Sequence, residues 1–219
     1  TGAPPDALFA GGQNWAFPPP HPERQRTDHY RYLIAVLQNH LRYAGVLRID
    51  HVMGLHRLFV IPSHAAASDG MYLRYPADEL YALLSLESHR SGTVLIGENL
   101  GTVPDEVQHG MQAHGISGMH VVQYQARAEP TAALPAARGG DMASLNTHDM
   151  PPFAAYWTGA DLRTQRDLGF IDEHQQEAMA GQRAWQCRCL GSFLGRRPGL
   201  PEDATAPPAM DALLQHLGR

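Results

Sequence analysis

The chain has 219 residues, of which 43% are hydrophobic, and this is enough for the core of one large domain. A formal net charge of −5 gives no electrostatic reason to expect a nucleic acid or an anionic membrane as a partner. No apolar stretch approaches the roughly 18 residues that a membrane-spanning helix needs.

The sequence of residues 1–75 predicts two loops, with one helix and one strand between them. Residues 1–26 are rich in proline and glycine and predict a long ordered loop, a kind of segment that often carries function. Residues 27–44 predict a helix that Thr27 would cap. Residues 46–50 predict a strand, and residues 51–75 predict a second loop.

Helices and strands alternate beyond residue 75. Proline and glycine mark the helix ends. One helix is predicted between Pro76 and Gly92, and the next between Pro104 and Gly115. Further strands are predicted at 93–97, 118–124 and 142–146. The remainder predicts helices at 151–157, 161–168, 173–190 and 208–217. This alternation is typical of an α/β fold with parallel strands and right-handed crossovers.

Three acidic residues each follow a strand-like segment: Asp50, Glu98 and Asp149. In a barrel of alternating strands and helices, the C-terminal ends of the strands meet at one face, so these carboxylates are expected to converge there. Two opposed carboxyl groups with a third, stabilising one are what the chemistry of a glycosidic bond requires. An ordinary loop carboxylate is the alternative for Glu98.

Arg48 and Asp50 point to the same side of their strand, since side chains alternate along a strand. A neighbouring arginine keeps a carboxylate ionised, which suits a nucleophile. A structural Arg–Asp pair is the alternative. For the His148–Asp149 dipeptide the alternative is a metal-dependent phosphohydrolase, but the further ligands that such a site needs are not found in the sequence.

Cys187 and Cys189 are the two cysteines of the chain. They are poorly spaced for a disulfide within a helix, and no second pair exists to complete a zinc site. They are therefore expected to be reduced thiols, which favours a cytoplasmic protein.

Four sequence motifs occur in a fixed order: GAPPDALFAGGQNW at 2–15, LRYAGVLRIDHVMGL at 41–55, VLIGENLGTVP at 94–104 and LNTHDMPPFAAYW at 145–157. Together they closely resemble the 4-α-glucanotransferases called amylomaltases or disproportionating enzymes, glycoside hydrolase family 77. The resemblance implies a (β/α)8 TIM-barrel type of fold, of which the chain would hold the part from after strand 3 to before strand 8. Residues 1–219 would then form a single partial catalytic domain with 1–26 as an active-site loop, and the rest of the barrel would be its partner.

The resemblance also implies roles for the acids. Asp50 would attack the anomeric carbon, and Glu98 would protonate the leaving oxygen and then activate the acceptor, in a retaining double displacement. Asp149, helped by His148 and His51, would hold sugar hydroxyls.

For substrate binding, Trp15 matches the loop tryptophan of the family, with Asn14 and Gln13 beside it and Arg48 next to the nucleophile. Packing of Trp15 under its own loop is the alternative to sugar binding. No cofactor or metal is implied, because the carboxylates suffice.

The implied activity is transfer of α-1,4-glucan segments between maltooligosaccharides. An α-amylase-like hydrolase and an inactive or glucan-binding fragment are the alternatives. The chain departs from the family pattern at three places. Ala7 and Leu8, followed by Phe9, replace an aromatic pair, Asn99 replaces an aspartate, and Ala16 replaces a glycine.

Overall fold

The computed structural model describes residues 1–5, 10–195 and 206–218. The chain divides into two compact units, Thr1–Gly118 and Met119–Arg219. Each unit has its own hydrophobic core, and each is described separately below.

In its described residues, the first unit combines a parallel strand pair, an antiparallel sheet and four α-helices. Its strands are β1 (Gly2–Ala3), β2 (Gln13–Asn14), β3 (Val46–Ile49), β4 (Arg57–Val60), β5 (Met71–Arg74) and β6 (Val94–Gly97). Its helices are α1 (Pro22–Thr27), α2 (Arg31–Leu41), α3 (Ala77–Ser91) and α4 (Asp105–Ala113), and short 3₁₀ turns lie at Val52–Leu55 and Ala67–Asp69.

The predicted strands at 46–50 and 93–97 are confirmed as β3 and β6. They pair in parallel, with Val46 opposite Val94 and Ile49 opposite Gly97. The intervening helix α3 runs to Ser91, and Gly92 ends it in the left-handed conformation, as its position predicts. The core beside this pair is apolar and joins α2, α3, α4 and the strands through Leu37, Leu41, Val52, Tyr81, Leu84, Leu95, Val107, Met111 and Ile116.

The single helix predicted at 27–44 is wrong at its start. His29 and Tyr30 both have positive φ angles, 53° and 55°, and they separate α1 from α2. Thr27 does not cap a helix; it ends α1, and its hydroxyl donates to the Glu23 carbonyl at 2.8 Å. Tyr30 is buried, and its hydroxyl donates to Glu79 of α3. This contact between residues 49 apart in sequence accounts for the break.

The loops predicted at 1–26 and 51–75 are partly sheet. β1 pairs with β2 and β4, and β4 pairs with β5, all antiparallel, in the order β2-β1-β4-β5. Gly2 permits the close approach of β1 and β2, because a Cβ at that position would lie 2.0 Å from the Gln13 carbonyl oxygen. The strands have two to four residues each, too few for the alternation that marks a strand in sequence.

The second unit is mostly helical. It contains β7 (Met119–Val121), α5 (Val122–Gln125), β8 (Met142–Ser144), α6 (Phe153–Thr158), α7 (Ala160–Asp167), α8 (Glu173–Gly195) and α9 (Ala206–Leu217). β7 and β8 pair in parallel, with Val121 opposite Ser144. The four predicted C-terminal helices are confirmed as α6 to α9. The strand predicted at 118–124 is wrong in its second half, because Val122 starts a helical turn that its carbonyl closes with Ala126 N–H at 2.8 Å.

The core of the second unit packs α8 against α6 and α9, through buried residues that include Phe153, Tyr156, Leu190, Leu194 and Leu213. Cys187 and Cys189 are buried free thiols in this core. Burial raises the pKa of the Cys187 thiol to about 11, so it stays protonated and unreactive near neutral pH. In the described part of the chain, no helix has both the length and the apolar character needed to cross a bilayer.

Candidate active site

Asp50 and Glu98 come directly after the two paired parallel strands. Ile49 lies opposite Gly97 in the parallel pair, and Asp50 and Glu98 are the residues that directly follow these two. The pairing continues past the strands, because Glu98 N–H donates to the Ile49 carbonyl at 2.8 Å and Val52 N–H donates to the Glu98 carbonyl at 3.1 Å. Neighbouring strands lie about 4.8 Å apart. The fold therefore brings the backbones of Asp50 and Glu98 to adjacent positions at the C-terminal ends of β3 and β6.

The side chain of Glu98 is held by backbone amides at both oxygens. Oε2 accepts from His51 N–H at 3.0 Å, and Oε1 accepts from Leu100 N–H at 3.0 Å. The preceding glycine leaves room for this arrangement, since a Cβ at Gly97 would lie 2.8 Å from Val52 Cγ2. The two bonds fix the orientation of the carboxyl group relative to both strand ends.

The Asp50 carboxylate faces solvent, beside Arg48. Arg48 Nη1 lies 2.6 Å from Asp50 Oδ1, and the two side chains are 29% and 78% exposed. An ion pair with this much exposure contributes only about 0–1 kcal/mol to stability. The pair therefore does little for the fold, and the exposed carboxylate is open to a ligand.

His51 links the two acids to the N-terminal loop. Its φ angle is +46°, a left-handed conformation, and in this conformation its N–H reaches Glu98. Its ring meets the Trp15 ring edge-on, with centroids 5.1 Å apart. Burial lowers the pKa of the imidazole, while the charges of Glu98 and Asp50 act in the opposite direction. Both carboxylates therefore lie close enough to act on this ring, which is neutral near pH 7.

Trp15 is held in place by its own loop. Its indole N–H donates to Gln13 Oε1 at 2.9 Å, and its backbone N–H donates to the Thr1 carbonyl at 2.9 Å. Asn14 Oδ1 accepts from Ala16 N–H at 2.9 Å. Ala16 itself has a φ angle of +58°, a conformation that glycine adopts without strain. The glutamine and asparagine side chains thus support the loop that presents Trp15 to His51.

His148 and Asp149 lie in the second unit, in the turn that follows β8. His148 Nε2 is 3.3 Å from Asp149 Oδ2, and the two side chains are 72% and 74% exposed. The Asp149 N–H donates to Thr147 Oγ1 at 3.3 Å. The turn therefore presents an imidazole and a carboxylate together to solvent.

Sequence reasoning missed the backbone amides that hold Glu98, because an N–H donor at His51 or Leu100 leaves no signature in residue type. It did find the unusual Asn99, whose amide donates to Gln108 Oε1 of α4 at 3.3 Å. Ala7, Leu8 and Phe9 lie outside the described residues. Across the described ranges, no group of three or more histidine, cysteine, aspartate or glutamate side chains is placed to hold a metal ion.

Parallel strands joined by helices, with acids directly after their C-terminal ends, are typical of α/β enzymes. The sequence profile of the 4-alpha-glucanotransferase family matches residues 1–197. The chain belongs to this family, glycoside hydrolase family 77.

Individual relatives agree with this assignment. Proteins named 4-alpha-glucanotransferase from Mycobacterium tuberculosis and Haemophilus influenzae are each 36% identical to the chain over its whole length. The chain spans about 31% of the length of these relatives.

Solved structures show the same fold. The amylomaltase from Corynebacterium glutamicum superposes with a TM-score of 0.83 at 31% identity, covering 99% of this chain and 32% of that one. The amylomaltase from Streptococcus agalactiae, solved in complex with acarbose, has a TM-score of 0.65 at 20% identity and covers 91% of this chain and 36% of that one. The second of these supports the fold alone.

Proposed function

We propose that the protein carrying this chain is a 4-α-glucanotransferase that moves α-1,4-glucan segments between maltooligosaccharides. The observation that carries the proposal is the pair of acids, Asp50 and Glu98, at adjacent ends of β3 and β6 in a chain of this family. One of these carboxylates is exposed and ion-paired, and the other is fixed by two amides. This difference suits a pair with two different roles.

In the first step, an Asp50 oxygen forms a bond to the anomeric carbon of the donor while the glycosidic bond to the leaving sugar breaks. Glu98 gives its proton to the departing oxygen. In the second step, Glu98 takes a proton from the 4-hydroxyl of the acceptor, whose oxygen displaces Asp50 and restores the α configuration. This retaining route requires carboxyl groups about 5–5.5 Å apart. Arg48 pairs with the Asp50 carboxylate, with Nη1 2.6 Å from Oδ1, and orients it.

The remaining site residues bind the sugar. A neutral His51 offers a donor and an acceptor to hydroxyl groups, and Trp15 offers an apolar surface to a pyranose ring. Gln13 and Asn14 support the Trp15 loop. His148 and Asp149 hold two hydroxyls of the reacting sugar, with contacts that strengthen as positive charge develops on the ring.

We further propose that β3, β6, β7 and β8 are four strands of a (β/α)8 barrel, strands four to seven, and that residues 1–219 belong to one catalytic domain. Support comes from the two parallel pairs and from the coverage of about 31% of the relatives, which leaves length for the other strands. The free thiols of Cys187 and Cys189 favour a cytoplasmic location. The ligands would be α-1,4-glucans, and the rest of the barrel would complete the site.

Incubation of the complete protein with maltotriose tests the activity. Transfer gives glucose together with longer maltooligosaccharides, whereas an α-amylase-like hydrolase gives glucose and maltose without longer products. An inactive or merely glucan-binding protein gives neither. Asp50→Ala should abolish both turnover and the covalent adduct that mass spectrometry detects with a fluorinated α-glucosyl donor. Cys187→Ser, in the apolar core, serves as the control that keeps the chemistry. Near-normal turnover by Asp50→Ala would refute the nucleophile.

A further inference from the structure

Residues 147–150 form the turn that carries His148 and Asp149, and two side-chain amides hold the chain where this turn ends. The Pro151 carbonyl accepts from Gln123 Nε2 at 3.0 Å and from Asn146 Nδ2 at 3.3 Å. Gln123 belongs to α5 and Asn146 follows β8. The two donors therefore fix one backbone oxygen from two directions, just before α6 begins.

The position of Asp149 depends on the backbone of this turn. Inside the turn, Met150 N–H donates to the Thr147 carbonyl at 3.2 Å and Asp149 N–H donates to Thr147 Oγ1 at 3.3 Å. The side chains of His148 and Asp149 are about three-quarters exposed, at 72% and 74%. Because packing cannot hold such exposed groups, the backbone path must aim them.

Gln123 is unusual for a side chain in this position. It is only 8% exposed, and its own N–H donates to the Leu145 carbonyl at 3.2 Å. Its amide orientation is fixed, because the Pro151 carbonyl accepts only a donor. The other amide atom, Oε1, is buried and has no hydrogen-bond partner among the described residues. A buried amide that is satisfied on one side adds little net stability, so stability alone does not explain this residue.

We propose that Gln123 and Asn146 are positioning residues, which clamp the Pro151 carbonyl and thereby aim the Asp149 carboxylate at the substrate. The substrate part of this inference rests on the function proposed above. The clamp itself rests only on contacts within the second unit. Both donors share one oxygen, so the loss of either leaves the other in place, and the loss of both should exceed the sum of the single effects.

Gln123→Met tests the clamp, with Gln186→Met as the matched control. Gln186 also donates from Nε2 to a backbone carbonyl, that of Ala126, at 2.6 Å, and its Oε1 accepts from the Tyr156 hydroxyl at 2.8 Å. Gln186 is therefore satisfied on both sides, and its loss should lower Tm by about 2–4 °C with kcat unchanged. Gln123→Met should hardly move Tm but should lower kcat on the order of 10-fold, with a smaller change in KM.

The double variant Gln123→Met/Asn146→Leu should lower kcat further and should increase hydrogen–deuterium exchange at the amides of residues 147–150, which Gln186→Met should leave unchanged. Exchange is measured in the complete protein and does not require activity. If the wild-type protein leaves maltotriose untouched, the proposed function fails, while the exchange result still decides the clamp. Equal exchange in the double variant and the wild type overturns the clamp. In an active enzyme, equal kcat for Gln123→Met and Gln186→Met overturns its role in the reaction.

Discussion

Replacing Glu98 with glutamine should destabilise the protein more than replacing Asp50 with asparagine, although each substitution removes one carboxylate of the pair. The reason is the difference in their surroundings. Both oxygens of Glu98 accept a backbone N–H at 3.0 Å, whereas the Asp50 side chain is 78% exposed and forms an ion pair with Arg48. Both variants should lose activity, so stability is the property that separates them.

The size of the difference follows from the hydrogen bonds. An amide has one oxygen, so glutamine at position 98 would accept from either His51 or Leu100 and would turn its NH₂ group toward the other N–H. Losing one hydrogen bond and leaving an N–H donor unsatisfied costs about 1–3 kcal/mol. The exposed Arg48–Asp50 pair contributes about 0–1 kcal/mol, so Asp50→Asn should be nearly neutral.

Urea unfolding followed by tryptophan fluorescence measures this difference. With a slope of about 2 kcal/mol per molar urea, Glu98→Gln should lower the midpoint by roughly 1 M, and Asp50→Asn by less than about 0.5 M. Equal midpoints for the two variants, or a lower one for Asp50→Asn, would show that the amides at His51 and Leu100 do not hold the Glu98 carboxyl group.

Three further predictions concern the loop at Ala16, the imidazole of His51 and the exposed valines at the starts of β3 and β6. Ala16→Gly should raise the free energy of unfolding by about 0.5–1 kcal/mol, because Ala16 is exposed and has a φ angle of +58°. The control Ala66→Gly, at an exposed alanine with a φ angle of −74°, should lower the free energy of unfolding, and the opposite order would contradict the left-handed conformation of Ala16. The pKa of His51 is lowered in the folded state, so the contribution of His51 to stability is present above pH 6.5 and is lost as the pH falls through the lowered pKa. The urea midpoints of unfolding at pH 7.5 and pH 5.5 should therefore differ less in His51→Gln than in the wild type. The 219-residue chain by itself should self-associate and should turn over maltotriose poorly, since the strand residues Val46 and Val94 are 56% and 52% exposed. A monomer in sedimentation analysis that turns over maltotriose at an ordinary rate would contradict this prediction.

Local signals were sufficient for the parallel pair and its helices. Short β-branched runs ending at Asp50 and Glu98 marked β3 and β6, and Pro76 and Gly92 marked the ends of the helix between them. These features act within a few residues, so one sequence contains them.

Long-range contacts decided the elements that the sequence did not predict. The break between α1 and α2 depends on the Tyr30 hydroxyl reaching Glu79, and the antiparallel sheet depends on Gly2 pairing with Phe59. The β-branched residues at 121 and 122 favoured a longer strand, but the chain turns into α5, where Gln123 N–H bonds to the Leu145 carbonyl beyond β8. Propensity is a weak guide wherever a distant partner sets the backbone.

The candidate site shows the same division between residue type and backbone geometry. Residue type and order pointed to Asp50, Glu98 and Asp149, because carboxylates after strands are visible in a sequence. The main-chain atoms beside two of these acids are not visible there: Glu98 accepts from the N–H groups of His51 and Leu100, and the turn that carries Asp149 is followed by the Pro151 carbonyl, which accepts from Gln123 Nε2. A sequence can therefore point to candidate side chains while leaving open which main-chain atoms hold them. Substitutions of the residues that hold the acids, more than of the acids themselves, will show how much the backbone geometry contributes to activity.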